Sequence, residues 1–395
     1  MKKYKFFLIP IICIFIFASL FNVVIDKKYE DLIEKKDLTS MKHTYNQIIR
    51  DRGGVLKSQM KEDGDLMLLG SSELSSPVEQ NPINMFPNNY AEYDVSIFGR
   101  AYTQSLQHST ILSNIEDIGK DDKVAIVISA QWFEYLSGID GNDFSVNFSE
   151  QQFYEFFNNK NINKENKVYY AKRIAELLRK SGEYGEERIY ANLYYRDNII
   201  TKITLTLLKP YYSLKEYMLE TKDKVQTIKI LEKLNNKSEK SIKNIDWNEE
   251  YKKAEAEGKE KVTNNDIFVE DSYYDTYLRD KYDTLKDRWK DIDLLKSKEL
   301  EDYKFFLDTC EQVGVKPLVI LMPVNGLYYD HLGLDEEKRT EFYDTVEKLA
   351  DDKGFEVLNL QNKEYEKYYL SDVMHLGWKG WLNINEEMYK YFNER

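Results

Sequence analysis

Short apolar runs, several of them stopped by glycine, serine or proline, constrain this chain more than any other feature. Leu66-Met67-Leu68-Leu69 runs into Gly70-Ser71-Ser72, Tyr93 to Phe98 ends at Gly99, and Val124 to Ile128 leads into Ser129-Ala130-Gln131-Trp132-Phe133. Continuous apolar runs of this length are the pattern of strands buried on both faces, as in a parallel sheet. Two more follow, Pro317 to Met322 before Pro323-Val324-Asn325-Gly326, and Phe355 to Leu358. Helical patterns precede both. Strands alternating with helices imply an α/β fold, a parallel sheet with right-handed crossovers. In such sheets the working residues gather at the carboxyl ends of the strands. Ser72, Gly99 and Gln131 all stand just past expected strand ends.

Between the third and fourth strands the pattern changes. Val168, Ala171, Ala175 and Leu178 recur at helical spacing, and Ile199, Ile203 and Leu207 repeat it up to Pro210, where the helix is expected to stop. The stretch 220–260 is rich in lysine, glutamate and asparagine and reads as exposed helix. Residues of about 150–302 therefore form a large helical insertion within a domain spanning 61–395, and 29–60 reads as a juxtamembrane stalk.

At the amino end, Phe6 to Ile25 carries no charge over twenty residues. At about 1.5 Å per residue that is long enough to cross a hydrocarbon core of about 30 Å. Lys2, Lys3 and Lys5 precede it, which by the positive-inside rule holds the N-terminus in the cytoplasm. The expectation is a single-pass transmembrane helix within residues 1–28, in contact with membrane lipid, and an extracellular body in the cell membrane.

Charge narrows the partners. The chain of 395 residues has a formal net charge of -13; residues 1–28 carry +4, which leaves -17 on the rest. So acidic a body is unsuited to a nucleic-acid backbone, whose binding depends on lysine and arginine displacing counterions. Its two cysteines, Cys13 and Cys310, form no disulfide framework. No His/Cys cluster has zinc spacing, and the reading calls for no metal and no cofactor.

The chemistry rests on few residues. A serine hydroxyl becomes a good nucleophile when imidazole takes its proton, and a carboxylate then fixes the ring tautomer and stabilises the imidazolium. Ser72 comes early; Asp372-Val373-Met374-His375 comes late, with aspartate and histidine three residues apart on one turn. Ser71 is a rival nucleophile on the residues alone. The Gly99 N–H, the Gln131 side-chain amide and the N–H of Ser72 are candidates for an oxyanion hole. Of the other histidines, His331 reads as substrate contact or structural, His108 as structural and His43 as solvated.

Four blocks in order carry a resemblance: Gly70-Ser71-Ser72-Glu73-Leu74, Ala130-Gln131-Trp132-Phe133, Tyr329-Asp330-His331, and Asp372 through Trp381 with its Leu376-Gly377-Trp378-Lys379-Gly380-Trp381 ending. Together they resemble the DltD family, the D-alanyl-lipoteichoic acid biosynthesis proteins. The resemblance implies an SGNH-like domain whose Ser, Asp and His fall on Ser72, Asp372 and His375. It favours Ser72 over Ser71, and Gln131 stands where the SGNH group takes its name from asparagine. It also implies a role in placing D-alanine esters on teichoic acid, beside a membrane-bound O-acyltransferase and other D-alanylation proteins. Three functions follow: an acyltransferase passing a D-alanyl group through an acyl-Ser72 intermediate, an esterase or thioesterase at the same site, or a non-enzymatic scaffold.

Overall fold

The computed structural model describes residues 2–238 and 241–393, and side chains at Cys13 and from Ile16 onward. Five strands form one sheet: β1 (Leu66–Leu69), β2 (Val95–Phe98), β3 (Val124–Ile128), β4 (Leu318–Leu321) and β5 (Val357–Asn359). Their order is β2-β1-β3-β4-β5 and every pairing is parallel. The apolar runs explain this directly. Met67 and Leu69 enter one core with Ile126, Ile128, Val319 and Leu321, while Leu66 and Leu68 enter the other with Val95, Ile97, Ala125 and Ile320. Both faces are covered, so alternate side chains are all buried and the strands lose the polar alternation of a one-faced sheet. Each such side chain contributes roughly 1.5–3 kcal/mol on burial.

The strand order has one functional consequence. The chain steps from β1 outward to β2, then returns to place β3 on the other side of β1. Where the order reverses, the loops leaving the carboxyl ends of β1 and β3 diverge and open a crevice. The segment after β1 is the one that carries Ser72.

Gly99 shows how closely β1 and β2 meet there. Its φ is +127°, and a Cβ on it would stand 1.8 Å from the Gly70 carbonyl oxygen. Gly99→Ala therefore meets strain and a backbone clash together. It is expected to destabilise the protein by about 3 kcal/mol or more, read as a lowered urea midpoint.

The β3–β4 crossover contains the helices Lys164–Ser181, Gly185–Arg196, Ile199–Leu231 and Trp247–Lys261. Aromatic packing joins the helices of its first part to one another: Phe156 meets Tyr170 with centroids 4.5 Å apart, and Phe157 meets Tyr194 at 4.6 Å. Pro210 does not stop its helix. It lies inside Ile199–Leu231, a helix of 33 residues. One missing N–H is tolerated because tertiary contacts hold the next turns, Tyr211 Oη and Lys215 Nζ both donating to Glu186, at 2.7 and 2.8 Å.

The expected membrane anchor is overturned. Among the described residues, no helix is long and apolar enough to cross a membrane. The run Phe6–Ile25 belongs to the helix Lys2–Ile33, although most of its side chains before Ile16 lie outside those described. Beyond Ile25 this helix is charged, and it packs sideways on the insertion. Tyr217 Oη donates to Asn22 at 3.0 Å, and Lys224 pairs with Asp26. The single-pass topology, the cytoplasmic N-terminus and the extracellular body inferred from that span fall with it. The segment 29–60 continues as helix to Ile33 and then as Thr39–His43, Ile48–Arg52 and a third short helix from Val55, with Met41, Arg50, Leu56 and Met60 buried.

Candidate active site

Ser72 opens a short 3-10 turn, Ser72–Ser75, directly after β1. Glu73 shapes that turn: its side chain folds back so that Oε1 accepts the Ser71 N–H at 2.5 Å. Ser71 itself is 3% exposed and its hydroxyl donates to the Arg100 carbonyl at 3.3 Å. Ser72 remains partly exposed.

The facing loop is built from the Asp372–His375 block. Leu370 and Leu376 form an antiparallel bridge, and the Ser371 N–H donates to the His375 carbonyl at 2.9 Å, closing a tight loop. Inside it, Asp372 Oδ1 accepts the backbone N–H groups of Met374 and His375 at 2.8 and 2.7 Å. The other oxygen, Oδ2, meets His375 Nδ1 at 2.7 Å, and His375 Nε2 meets Ser72 Oγ at 2.9 Å. The Ser76 hydroxyl donates to the Leu376 carbonyl at 2.8 Å and ties the two loops together. Below the block, Trp381 is fully buried and anchors the helix Trp378–Asn393.

Electrostatics favour a proton on the ring. Burial pushes the His375 pKa down, but the hydrogen bond and charge of Asp372, aided by Glu73, outweigh it, and the net shift is upward from 6.5. Glu73, fully enclosed, is pushed up to about 7 by burial, against the opposing pull of backbone N–H groups and His375. A second carboxylate thus sits within electrostatic reach of the imidazole. The sequence reading quoted Glu73 and gave it no role, because only the fold shows that it turns inward.

The oxyanion candidates Gly99 and Gln131 follow the carboxyl ends of β2 and β3, the strands on either side of β1. Gly99 packs against Gly70, and the Gln131 N–H is taken by Ser129 Oγ at 3.3 Å. His331 is held by Tyr282, stacked at 4.0 Å and bonded through Nε2 to its carbonyl at 2.7 Å. His108 is buried against Trp132 and burial pushes its pKa to about 3. His43 is not solvated as expected; Nε2 meets Asp94 at 2.9 Å. A cavity of about 880 Å³ lies elsewhere, beside Tyr29, Glu62, Glu155 and Glu220, and no residue of the Ser-His-Asp chain lines it. Among the described residues no group of three or more His, Cys, Asp or Glu is placed to hold a metal.

Comparison with known proteins settles the family. The model of the DltD protein family matches residues 42–393. The chain belongs to the DltD family. It is 30% identical over 342 residues to Protein DltD of Bacillus subtilis (strain 168), covering 86% of each chain. It is 26% identical over 347 residues to Protein DltD of Staphylococcus aureus, covering 86% of this chain and 84% of that one. Protein DltD of Lacticaseibacillus rhamnosus matches at 22% over 343 residues, 85% of this chain and 79% of that one. DltD membership is consistent with the SGNH hydrolase-like parallel sheet described above. It supports a role in D-alanylation and implies involvement with the D-alanylation machinery.

Proposed function

We propose that this protein transfers D-alanyl groups to teichoic acid through an acyl-Ser72 intermediate. The observation that carries the reading is the continuous hydrogen-bonded chain Ser72 Oγ, His375 Nε2, His375 Nδ1 and Asp372 Oδ2, with links of 2.9 and 2.7 Å. His375 takes the Ser72 proton as Oγ attacks the acyl carbonyl carbon. The tetrahedral intermediate collapses, and the leaving group departs with that proton. A hydroxyl of the polyol-phosphate acceptor then gives its proton to His375 and attacks the acyl-serine. Ser72 leaves and recovers its proton, and the new ester carries D-alanine. The Gly99 and Ser72 N–H groups and the Gln131 amide are the candidates to receive the oxyanion.

Partial exposure of Ser72 favours one second reading, in which water replaces the acceptor and the protein is an esterase or thioesterase of the same acyl class. Purified protein given a D-alanyl ester, with and without a glycerol-phosphate acceptor, separates the two. Faster turnover and a D-alanylated acceptor support transfer; release of free D-alanine at an unchanged rate removes it.

The pH profile follows from the His375 shift. A general base must be neutral, and a raised pKa keeps His375 protonated to higher pH. Activity is therefore expected to be lost as pH falls through a value above 6.5, not below it. A plot of kcat/KM against pH checks this. A profile still flat at about pH 4 would remove histidine as the base.

A further inference from the structure

Glu73 follows the proposed nucleophile, and only 2% of its surface is exposed. Its side chain turns back along the chain. Oε1 accepts the Ser71 N–H at 2.5 Å, so the carboxyl links the residues on either side of Ser72. Gly70 makes the room for it. A Cβ there would stand 2.7 Å from Glu73 Oε1 and 2.9 Å from Leu74 Cγ, so a side chain at position 70 would displace the carboxyl. The block Gly70-Ser71-Ser72-Glu73 thus works as one unit. Glycine clears a space and glutamate fills it, while the Ser72 hydroxyl between them meets His375 Nε2 at 2.9 Å.

A turn of this kind asks only for an acceptor, and an amide oxygen would serve. A carboxyl is the harder group to bury, because enclosure penalises its charge. Burial pushes Glu73 up to about 7, against the pull of the Ser71 and Glu73 N–H groups and of His375 on the loop across the crevice. Tyr45 faces it from the amino-terminal segment; burial raises that phenol, and the Glu73 charge adds to the rise. The imidazole in turn answers to two carboxylates. Against the downward push of burial, the hydrogen bond and charge of Asp372 raise it, and the charge of Glu73 adds to them. His375 becomes an imidazolium each time it takes a proton from Ser72. Asp372 meets that charge directly, at Nδ1 and 2.7 Å. Glu73 meets it through space from the turn of the nucleophile itself, where enclosure keeps solvent screening small.

We propose that Glu73 is a second positioning carboxylate of the Ser72–His375–Asp372 site: it seats the Ser72 turn through the Ser71 N–H and holds a negative charge within reach of the imidazolium. This rests on the Ser72 reading above, and the test separates the two. The His375 ring is titrated by NMR in the full chain, whose four histidines keep the spectrum simple and which needs no acyl chemistry for this. Ser72 is labelled with a serine-directed phosphonate over the same pH range. Glu73→Gln keeps an acceptor for the Ser71 N–H and removes the charge. It is expected to melt close to the wild type, to lower the pH at which His375 gains its proton, and to slow labelling above that pH by about tenfold. Glu73→Asp keeps the charge on a shorter reach; it should leave the His375 titration near that of the wild type and slow labelling through the turn. A His375 titration unmoved by Glu73→Gln overturns the proposal, whatever the labelling rate. If Glu73→Gln does not fold, the wild-type curve decides: two inflections at His375, one of them from Glu73, are expected, and a single one overturns the proposal. If wild-type Ser72 is never labelled while His375 still answers to Glu73, the pair of carboxylates stands and the acyl-serine reading falls.

Discussion

Ser72→Ala is expected to cut acyl transfer by on the order of 10⁶-fold, as when one member of a serine–histidine unit is removed. The fold should be untouched. Among the described residues the Ser72 hydroxyl bonds only His375, while the turn is held by main-chain and neighbouring groups: the Ser75 hydroxyl on the Ser72 carbonyl at 2.7 Å and Glu73 on the Ser71 N–H. Ser71→Ala is the control. It removes one bond to the Arg100 carbonyl, about 0.5–1.5 kcal/mol of stability, and leaves the Ser72–His375 contact in place. A serine-directed phosphonate mapped by mass spectrometry reads the assignment. Label on Ser71, or transfer surviving in Ser72→Ala, would remove Ser72 as nucleophile.

Asp372→Asn is expected to cost about 10⁴-fold in kcat, and the geometry says why. One carboxylate oxygen is occupied by the N–H groups of Met374 and His375, so the asparagine carbonyl takes that place. Its amide nitrogen then faces His375 Nδ1, donor against donor. The ring relieves this by moving its proton to Nε2, where it points at Ser72 Oγ and can accept nothing. His375→Ala should be as damaging as Ser72→Ala, and the double variant no worse than either. Additive losses in the double variant would show that the two do not work as a unit.

Much of the architecture was open to reading because its signals are local. An unbroken apolar run stopped by glycine or serine is visible within a few residues, and β1, β3 and β4 lie where such runs stand. Ser72, Asp372 and His375 were named from residue types and family order; their approach is a tertiary fact. The misreadings share one cause, that charge and helix propensity are local while their compensation is not. Pro210 continues a helix because a neighbouring helix holds the turns after it. The apolar amino-terminal run suggested a span, but its helix docks through Asn22 and Asp26 onto residues two hundred positions away, separations of 195 and 198. His43 looked solvated until the fold brought Asp94 to it.

The loop that supplies His375 reaches Ser72 across 303 positions of chain. Contacts so distant form late, because the intervening loop must be closed before they return any stabilisation. A growing chain would complete β1, the Ser72 turn and the whole helical insertion while its serine still lacked a base. On the proposed mechanism the hydroxyl becomes reactive only once the Leu370–Leu376 loop and the Trp381 helix have docked. On that mechanism Ser72 and His375 together act as a check on completion: a partly folded molecule would hold an inert serine and would not be acylated in the wrong place. Refolding followed by two probes should show this, with serine labelling by a phosphonate lagging behind the recovery of helix signal.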